Sequence, residues 1–530
     1  MNSLKKLIEE ADLLIDDSKP ELALKSVRKA QQKLVALKDS APIFEARISL
    51  LLIDIGEQLW DEVVTKEGLT FLEENLIELS QVIQPASLEY NIGNAMKILY
   101  NISRRKSKVG FTPESISILS EAKDHYWNAS KHNVPVQMSR ELCVNLANTL
   151  DSAGRMVEAL YWYDQALSVD PTFGMAHYNR AEALKFLNAL SGSYTISLID
   201  EVRQSFKSAL EDPNLFPHMA EEASKRVKEI NLKFAELGWT DEKIAEDNKQ
   251  HAEDYEQYDD YWKFCLANHL ALSEHSLYCK CAAARRDDLS IVKQSGSIAG
   301  EFVPRLEMLL NRLKSEFCFA RALYYQSLKP EAKWDTDPFE GTFTEQYEGE
   351  AIGIEEEFLR NSFRQCFGIL DRIAEGLNEL YAFADPKENL YFESFWRKKG
   401  KNGEERWKLL NSQDNINLTA LYSLATDLNK QKGDWGFFKT YRNLMEHGLL
   451  VLLEAGITEL PSHLSPARIQ NAAVPISEFR ENTMQMLQFT RSAIFSFAFC
   501  VRSEGIKEIK KHKPENVITL QLEKKAIGKE

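Results

Sequence analysis

The sequence lacks the long apolar run that a membrane-spanning helix or the core of a secretion signal requires. It begins MNSLKKLIEEADLL, a charged and periodic segment. Its most apolar stretch, residues 492–501, is too short to cross a bilayer and is flanked by Arg491 and Arg502. We therefore expect a soluble cytoplasmic protein that does not bind membranes.

Paired cysteines are scarce as well. None of the seven cysteines forms a Cys-x-x-Cys pair, and the Cys-x-Cys of Cys279 and Cys281 is only a weak indication of metal or redox chemistry. Reduced thiols are the simpler interpretation, so no metal and no cofactor is predicted. P-loop, HExxH and GxSxG patterns are also absent, which gives no support to an NTPase, a zinc protease or a serine hydrolase.

Excess positive charge is the third absence. Eighty acidic residues against 65 lysines and arginines give a net charge of -15. This balance disfavours a protein that coats nucleic acid non-specifically, and any polyanion site must be a local basic groove. The length of 530 residues and the 44% hydrophobic content predict two or more packed domains.

The first half of the chain does contain a repeat. Within residues 140–171, small and bulky residues occur at helix-hairpin spacing: Leu146, Ala147, Gly154, Ala159, Tyr163, Ala166 and Pro171. The alanines allow two helices to approach closely, while Gly154 and Pro171 end them. The pattern resembles a tetratricopeptide (TPR) unit. Weaker copies around Ala11, Gly93 and Ala181 predict a TPR-like α-solenoid over residues 1–235, with 38–85 its least regular part.

The TPR resemblance implies a concave groove that binds an extended peptide. Asn94 and Asn148 occupy equivalent positions on first helices, and Asn179 a neighbouring one. The three asparagines are candidate peptide-binding residues. Polar residues on a solvated helix face are the alternative interpretation.

After an acidic helical connector, residues 236–275, the repeat disappears and a helical bundle is predicted at 276–505, followed by a charged tail at 506–530. The bundle rests on four amphipathic segments, which are residues 302–325, 356–383, 437–454 and 476–501. The predicted fold class is therefore all-α, a TPR-like solenoid followed by a helical bundle.

The third segment carries a polar cluster, Arg442, Asn443, Glu446 and His447. On a helical wheel of about 100° per residue all four share one face, with Arg442 and His447 about 140° apart at its edges. An Arg442–Glu446 helix ion pair beside a half-buried histidine is the simpler interpretation. A catalytic site is the alternative.

Four ordered blocks, residues 354–381, 391–398, 409–429 and 441–450, resemble the HEPN domain found fused to N-terminal TPR repeats in bacterial proteins. The resemblance implies a metal-independent ribonuclease whose Arg-x4–6-His motif forms a composite site in a homodimer. It also implies a toxin or antiviral-defence role. Arg442, Asn443 and His447 match the motif.

Catalysis without a metal is chemically reasonable, because the 2′-hydroxyl of RNA is itself the nucleophile. His447 would move protons, Arg442 would hold phosphate oxygens, Asn443 would fix the phosphate or the imidazole, and Glu446 would orient Arg442. Three polar residues of the second segment, Asp371, Arg372 and Asn378, either support this site or form a solvated face.

A basic loop follows the second segment. Its candidate RNA-binding residues combine cations with an aromatic side chain suited to base stacking: Lys398, Lys399, Lys401, Arg406 and Trp407. An ordinary surface loop is the alternative. The expected partners are an RNA substrate, a second copy of the chain and a peptide or protein in the TPR groove. The competing function is a non-catalytic scaffold that binds RNA or mediates assembly.

Overall fold

The computed structural model describes residues 2–36, 42–106, 111–191, 196–291, 300–329, 349–385, 388–396, 406, 414–429, 435–457 and 471–511. Twelve helices in this part of the chain form its N-terminal half: α1 Asn2–Asp16, α2 Pro20–Ala36, α3 Pro42–Leu59, α4 Glu62–Glu74, α5 Leu76–Leu79, α6 Pro85–Lys106, α7 Pro113–Ser130, α8 Val136–Ser152, α9 Met156–Val169, α10 Gly174–Ser191, α11 Ile196–Glu211 and α12 Pro217–Glu236.

These helices pack as successive hairpins, α1 with α2, α3 with α4, α6 with α7, α8 with α9, and α10 with α11. The small residues of the predicted repeat lie between the helices, and Ala147, Ala159 and Ala166 are fully buried. Alanine at these positions lets the backbones approach closely, which confirms the helical-repeat prediction. The least regular stretch, 38–85, contributes α3, α4 and the single turn α5.

The remaining elements are α13 Asp241–Glu256, α14 Asp260–Ala267, a 3-10 helix at Glu274–Leu277, α15 Val303–Ser327, α16 Ile354–Tyr381, α17 Phe392–Phe395, α18 Ile416–Asp427, α19 Gly436–His447, β1 Leu449–Leu453, β2 Asn471–Pro475 and α20 Ile476–Lys511. Helices α15, α16 and α20 pack on one another as the centre of the C-terminal bundle. The second amphipathic segment forms most of α16, and its apolar stripe is buried, including Leu359, Phe363 and Leu370.

The third predicted segment is only partly helical, which corrects the prediction of one helix over 437–454. Helix α19 ends at His447, and Gly448 is extended, with φ -138° and ψ -144°. Leu449–Leu453 then forms β1, which pairs in parallel with β2. Four of its five residues are buried. A short apolar run that is buried on both faces suits a strand.

The two halves are in direct contact where the turn after α8 meets the start of α18. Gly154 adopts φ +82°, and a Cβ atom there would lie 2.3 Å from the carbonyl oxygen of Ile416. Glycine therefore serves both the left-handed backbone and the close approach of the two halves.

A buried ion cluster lies at the same junction. The carboxylate of Asp427, at the end of α18, accepts bonds from Arg155 Nη1 at 2.5 Å and Ser120 Oγ at 3.0 Å. Lys123 Nζ is 2.9 Å from the same carboxylate. Burial opposes ionisation, but Arg155 and Lys123 outweigh it and hold the pKa of the Asp427 carboxyl below its usual value.

Among the described residues, none of the helices combines the length and the apolar composition that crossing a bilayer requires. Helix α20 continues to Lys511 into the predicted charged tail. Residues 512–530 lie outside the described part of the chain.

Candidate active site

Helix α19 presents its polar cluster as the helical wheel predicts. Tyr441 and Leu444 are buried, Arg442 is half-buried, and Asn443, Glu446 and His447 are exposed. The buried face is fixed by aromatic contacts, since Tyr441 lies against Phe363 of α16. Packing of this face directs the polar face outwards.

All four predicted catalytic residues line one cleft of about 470 Å³. Its walls come from α16, from the segment around α17 and from α19. The other lining residues are Phe367, Leu370, Asp371, Tyr391, Phe392, Glu393, Ser394, Leu428 and Lys439. A cleft with apolar walls and a few converging polar groups is the usual form of a binding site.

Asp371 of α16 positions Arg442. The Nη2 atom of Arg442 lies 3.3 Å from Asp371 Oδ2, and its guanidinium carbon is 5.3 Å from the centroid of the Phe367 ring. The other oxygen of Asp371 accepts a 3.0 Å bond from the Phe392 amide. Burial raises the pKa of the Asp371 carboxyl, while the Phe392 amide and Arg442 favour its ionised form.

The expected pairing of Glu446 with Arg442 is wrong. Glu446 lies 3.6 Å from Arg364 Nε, and Arg364 also donates to the Met445 carbonyl oxygen. Arg442 instead pairs with Asp371. Glu446 therefore remains in the cleft, but the contact that positions Arg442 comes from α16.

The other two polar residues of α16 have structural contacts. Arg372 Nη1 pairs with Glu316 of α15 at 2.6 Å. Asn378 Oδ1 accepts the amide of Ala384 at 2.6 Å, which caps the end of α16. Of the three candidates, Asp371 is the one that faces the cleft.

Sequence reasoning missed Lys439 and Glu393, which form a 2.7 Å ion pair at the cleft. The helical wheel could have identified Lys439, because it falls about 60° from Arg442, within the polar arc. Glu393 carries no comparable indication, since it comes from a separate segment that folds against α19.

The basic-loop prediction needs one correction. Arg406 is 1% exposed, and its guanidinium binds Glu388 and the carbonyl oxygen of Phe395. It is therefore an interior residue and not an RNA contact. Lys398, Lys399, Lys401 and Trp407 lie outside the described residues.

The predicted peptide-binding asparagines form a repeated hydrogen-bond network. Asn94 Oδ1 accepts from Tyr126 and Asn145, and Asn148 Oδ1 accepts from Tyr163 and Asn179. In each case a tyrosine of the same hairpin and an asparagine of the next hairpin donate. The network joins neighbouring repeats and occupies the two amide oxygens, so a peptide would have to use the amide nitrogens.

Asn145, which the sequence did not single out, lines a separate cleft of about 670 Å³ in the repeats together with Tyr90, Arg140 and Phe173. Its position corresponds to that of Asn179 in the following repeat. The binding of a peptide in the repeats stays a prediction.

One family model matches most of the C-terminal half of the chain. The match lies in the helical bundle that carries the Arg442 cleft. Within it, residues 299–504 match the family model of LA2681-like HEPN domains. The matched part of the chain is therefore similar to LA2681-like HEPN domains, and it follows the TPR-like helical array.

Ten solved chains match, among them the C-terminal part of a TPR repeat-containing protein from Cytophaga hutchinsonii. The two are 13% identical, and the match covers 42% of this chain and 95% of that one with a TM-score of 0.18. A TM-score this low carries no argument about the fold. No curated protein matches.

Proposed function

We propose that this protein is a metal-independent endoribonuclease that cleaves RNA in the Arg442 cleft. The observation that carries the proposal is the presence of Arg442, Asn443 and His447 in one cleft of a HEPN domain. Arginine, asparagine and histidine supply the phosphate binding and proton transfer that RNA cleavage requires.

The reaction needs no protein nucleophile. The 2′-oxygen of RNA attacks the adjacent phosphorus, His447 takes the 2′-hydroxyl proton, and the bond from phosphorus to the 5′-oxygen breaks. The leaving 5′-oxygen takes a proton from water, and His447 returns its proton to the solvent, which gives a 2′,3′-cyclic phosphate and a 5′-hydroxyl. Arg442 binds the non-bridging oxygens, on which charge increases in the transition state.

The positions of Arg442 and His447 on α19 suit phosphate binding and proton transfer, respectively. Arg442 and His447 are five residues apart, about 7.5 Å along the helix axis. Arg442 lies against the inner wall, on Phe367 and Asp371, while His447 is exposed at the helix end. A phosphate of an RNA strand entering from solvent would meet the arginine inside the cleft with the histidine nearer the entrance.

The proposed assembly is a homodimer formed through the HEPN domain. The exposed side chains of Asn443, Glu446 and His447 leave the outer face of α19 open to a second copy. Pairing this face about a two-fold axis would bring two arginines and two histidines to one phosphate. Mixing inactive Arg442→Ala and His447→Ala protomers should then restore part of the activity. Full activity in dilute monomers would contradict the composite site.

The proposed role of the repeats is to bind a peptide or protein that controls the nuclease, and the function would be that of a toxin or antiviral effector. The direct contact between the repeats and α18, through Gly154 and Asp427, supports such coupling. A scaffold that binds RNA without cleaving it is the competing function.

The test is to incubate the purified protein with end-labelled single-stranded RNA in EDTA, with circular dichroism to show that the protein stays folded. We expect cleavage that yields 2′,3′-cyclic phosphate ends. Cleavage that requires an added divalent cation would contradict the mechanism. Binding without cleavage would favour the scaffold.

A further inference from the structure

Two histidines and two cysteines outside the cleft form a cluster that we term the His–Cys cluster: His251, His275, Cys279 and Cys281. His251 Nδ1 lies 3.5 Å from Cys279 Sγ, and His275 Nδ1 lies 3.6 Å from Cys281 Sγ. The ligand atoms of His251, Cys279 and Cys281 all lie within 4.8 Å of one another. Among the described residues, these three form the group of that kind with the spacing to hold a metal ion, and His275 adjoins it through its contact with Cys281.

The spacing of His251, Cys279 and Cys281 is close to that of three ligands of a tetrahedral zinc site. With Zn–S bonds of about 2.3 Å and Zn–N bonds of about 2.0 Å, a tetrahedron has S···N edges of about 3.5 Å. The two measured Cys–His distances are 3.5 and 3.6 Å. Two thiolates and two imidazoles are also a donor set that zinc prefers over the oxygen-binding cations.

Backbone hydrogen bonds fix the positions of the two sulfur atoms. The Cys281 amide donates to Cys279 Sγ at 3.2 Å, and the Cys279 amide donates to the carbonyl oxygen of His275 at 2.8 Å. These bonds hold the three residues in one tight turn, with one sulfur already accepting an amide bond as metal-bound thiolates do. The Tyr278 hydroxyl is 3.3 Å from His275 Nδ1, so it must release that nitrogen for coordination.

The cluster joins two parts of the molecule. His251 lies on α13, whose Ile244 packs against Ile199 and Phe234 of the repeats. The turn that carries the cysteines follows the 3-10 helix, and Arg491 of α20 donates to Ser276 within that helix. An ion bound here would link α13, which follows the repeats, to the C-terminal bundle.

We propose that the His–Cys cluster binds one zinc ion through its two sulfur atoms and the His251 imidazole, with the His275 side chain turning in as the fourth ligand, and that this ion fixes α13 to the C-terminal domain. The site is structural and separate from the Arg442 cleft. All seven cysteines are within the described residues and are free thiols, so both sulfurs are available.

The experiment measures zinc in full-length protein purified after expression with zinc, by mass spectrometry of the metal. We expect one zinc per chain in the wild type and in the controls Cys143→Ser and His218→Ala. Cys279→Ser, Cys281→Ser and His251→Ala should each retain less than a tenth of it. His275→Ala should retain zinc with a dissociation constant raised at least tenfold.

Cobalt substitution of the wild-type protein provides a readout that does not depend on whether the variants fold. Tetrahedral coordination with two thiolates predicts an intense visible spectrum and a thiolate-to-cobalt charge-transfer band. Wild-type protein that binds neither metal, or that carries a Cys279–Cys281 disulfide under non-reducing conditions, would overturn the proposal. Zinc retained by folded Cys279→Ser and Cys281→Ser proteins would overturn it equally.

Discussion

The domain junction and the cleft each contain an arginine–aspartate pair, and the two pairs differ in burial. At the junction, Arg155 and Asp427 side chains are 2% and 0% exposed and lie 2.5 Å apart. In the cleft, Arg442 and Asp371 are 31% and 20% exposed and 3.3 Å apart. Asp427 has three partners from the repeats, whereas the Asp371 contact leaves the Arg442 side chain partly exposed to solvent.

The difference in burial therefore makes Arg155–Asp427 a structural pair, whereas Arg442 can exchange Asp371 for another partner. Two charges enclosed in a low-dielectric interior must stay together, because removing one leaves the other uncompensated. A partly exposed arginine with one long bond can turn to an incoming phosphate at little cost. The same residue types thus hold the halves together at one place and are available to a ligand at the other.

The largest expected effect is at the junction. Asp427→Ala leaves Arg155 and Lys123 buried without their shared carboxylate, and should lower the free energy of unfolding by about 3–5 kcal/mol. Urea unfolding measures the loss. Asp241→Ala is the control, since Asp241 pairs with Arg203 but is 75% exposed and should cost less than about 1 kcal/mol. Equal losses in the two variants would contradict the distinction by burial.

Acid should also weaken the junction, through His269. This imidazole lines a cavity between the halves, in edge contact with Tyr161 of α9. Burial, with a contribution from Arg491, lowers its pKa from the usual 6.5 to about 4. Because the folded-state pKa is below the unfolded one, stability is full above pH 6.5 and is lost as the pH falls towards 4, by up to about 3 kcal/mol.

Urea unfolding as a function of pH tests this prediction. His269→Phe keeps an aromatic ring but removes the titration, so its stability should depend less steeply on pH across that window. His132→Phe, at an exposed position, should keep the wild-type slope. The same slope in all three proteins would assign the acid sensitivity to other groups.

The smallest expected effect concerns the positioning of Arg442. Asp371→Asn keeps an oxygen for the Phe392 amide but removes the charge that holds Arg442, so kcat should fall about tenfold, which corresponds to about 1.4 kcal/mol. KM should fall as well, because removing one negative charge from the cleft reduces its repulsion of the RNA phosphates. Steady-state cleavage kinetics separate the two parameters.

Glu375→Gln is the matched control for Asp371→Asn. Glu375 is exposed one turn further along α16, so its substitution removes a carboxylate from the same helix without touching the Arg442 contact. If both variants change kcat and KM alike, the Asp371 contact has no specific role.

Local patterns predicted a good part of this structure. The alanine spacing identified the repeats, the stripe on α16 identified a bundle helix, and the wheel grouped Arg442 with His447, because each depends on one helix. Contacts between distant segments were not predictable in the same way. Asp371 is 71 residues from Arg442, and His251 is 28 residues from Cys279.

The burial of Arg406 and the end of α19 were also predicted wrongly. Arg406 looked like part of a basic surface loop, but it is buried in an ion pair with Glu388. The leucines after Gly448 continue an apolar helical pattern, yet their strand partner, 471–475, comes from a segment that no local period identifies. In both cases the structure depends on a contact with a separate segment of the chain.

The most direct measurement of the central claim is the rate at which wild type, Arg442→Ala and His447→Ala cleave one single-stranded RNA in EDTA. Each variant should lose about 10²–10⁴-fold in rate with its unfolding temperature unchanged, while His132→Ala cleaves as the wild type does. The same RNA with 2′-O-methyl groups should resist all four proteins. Wild-type rates in both folded variants, or cleavage of the 2′-O-methyl RNA, would contradict the account.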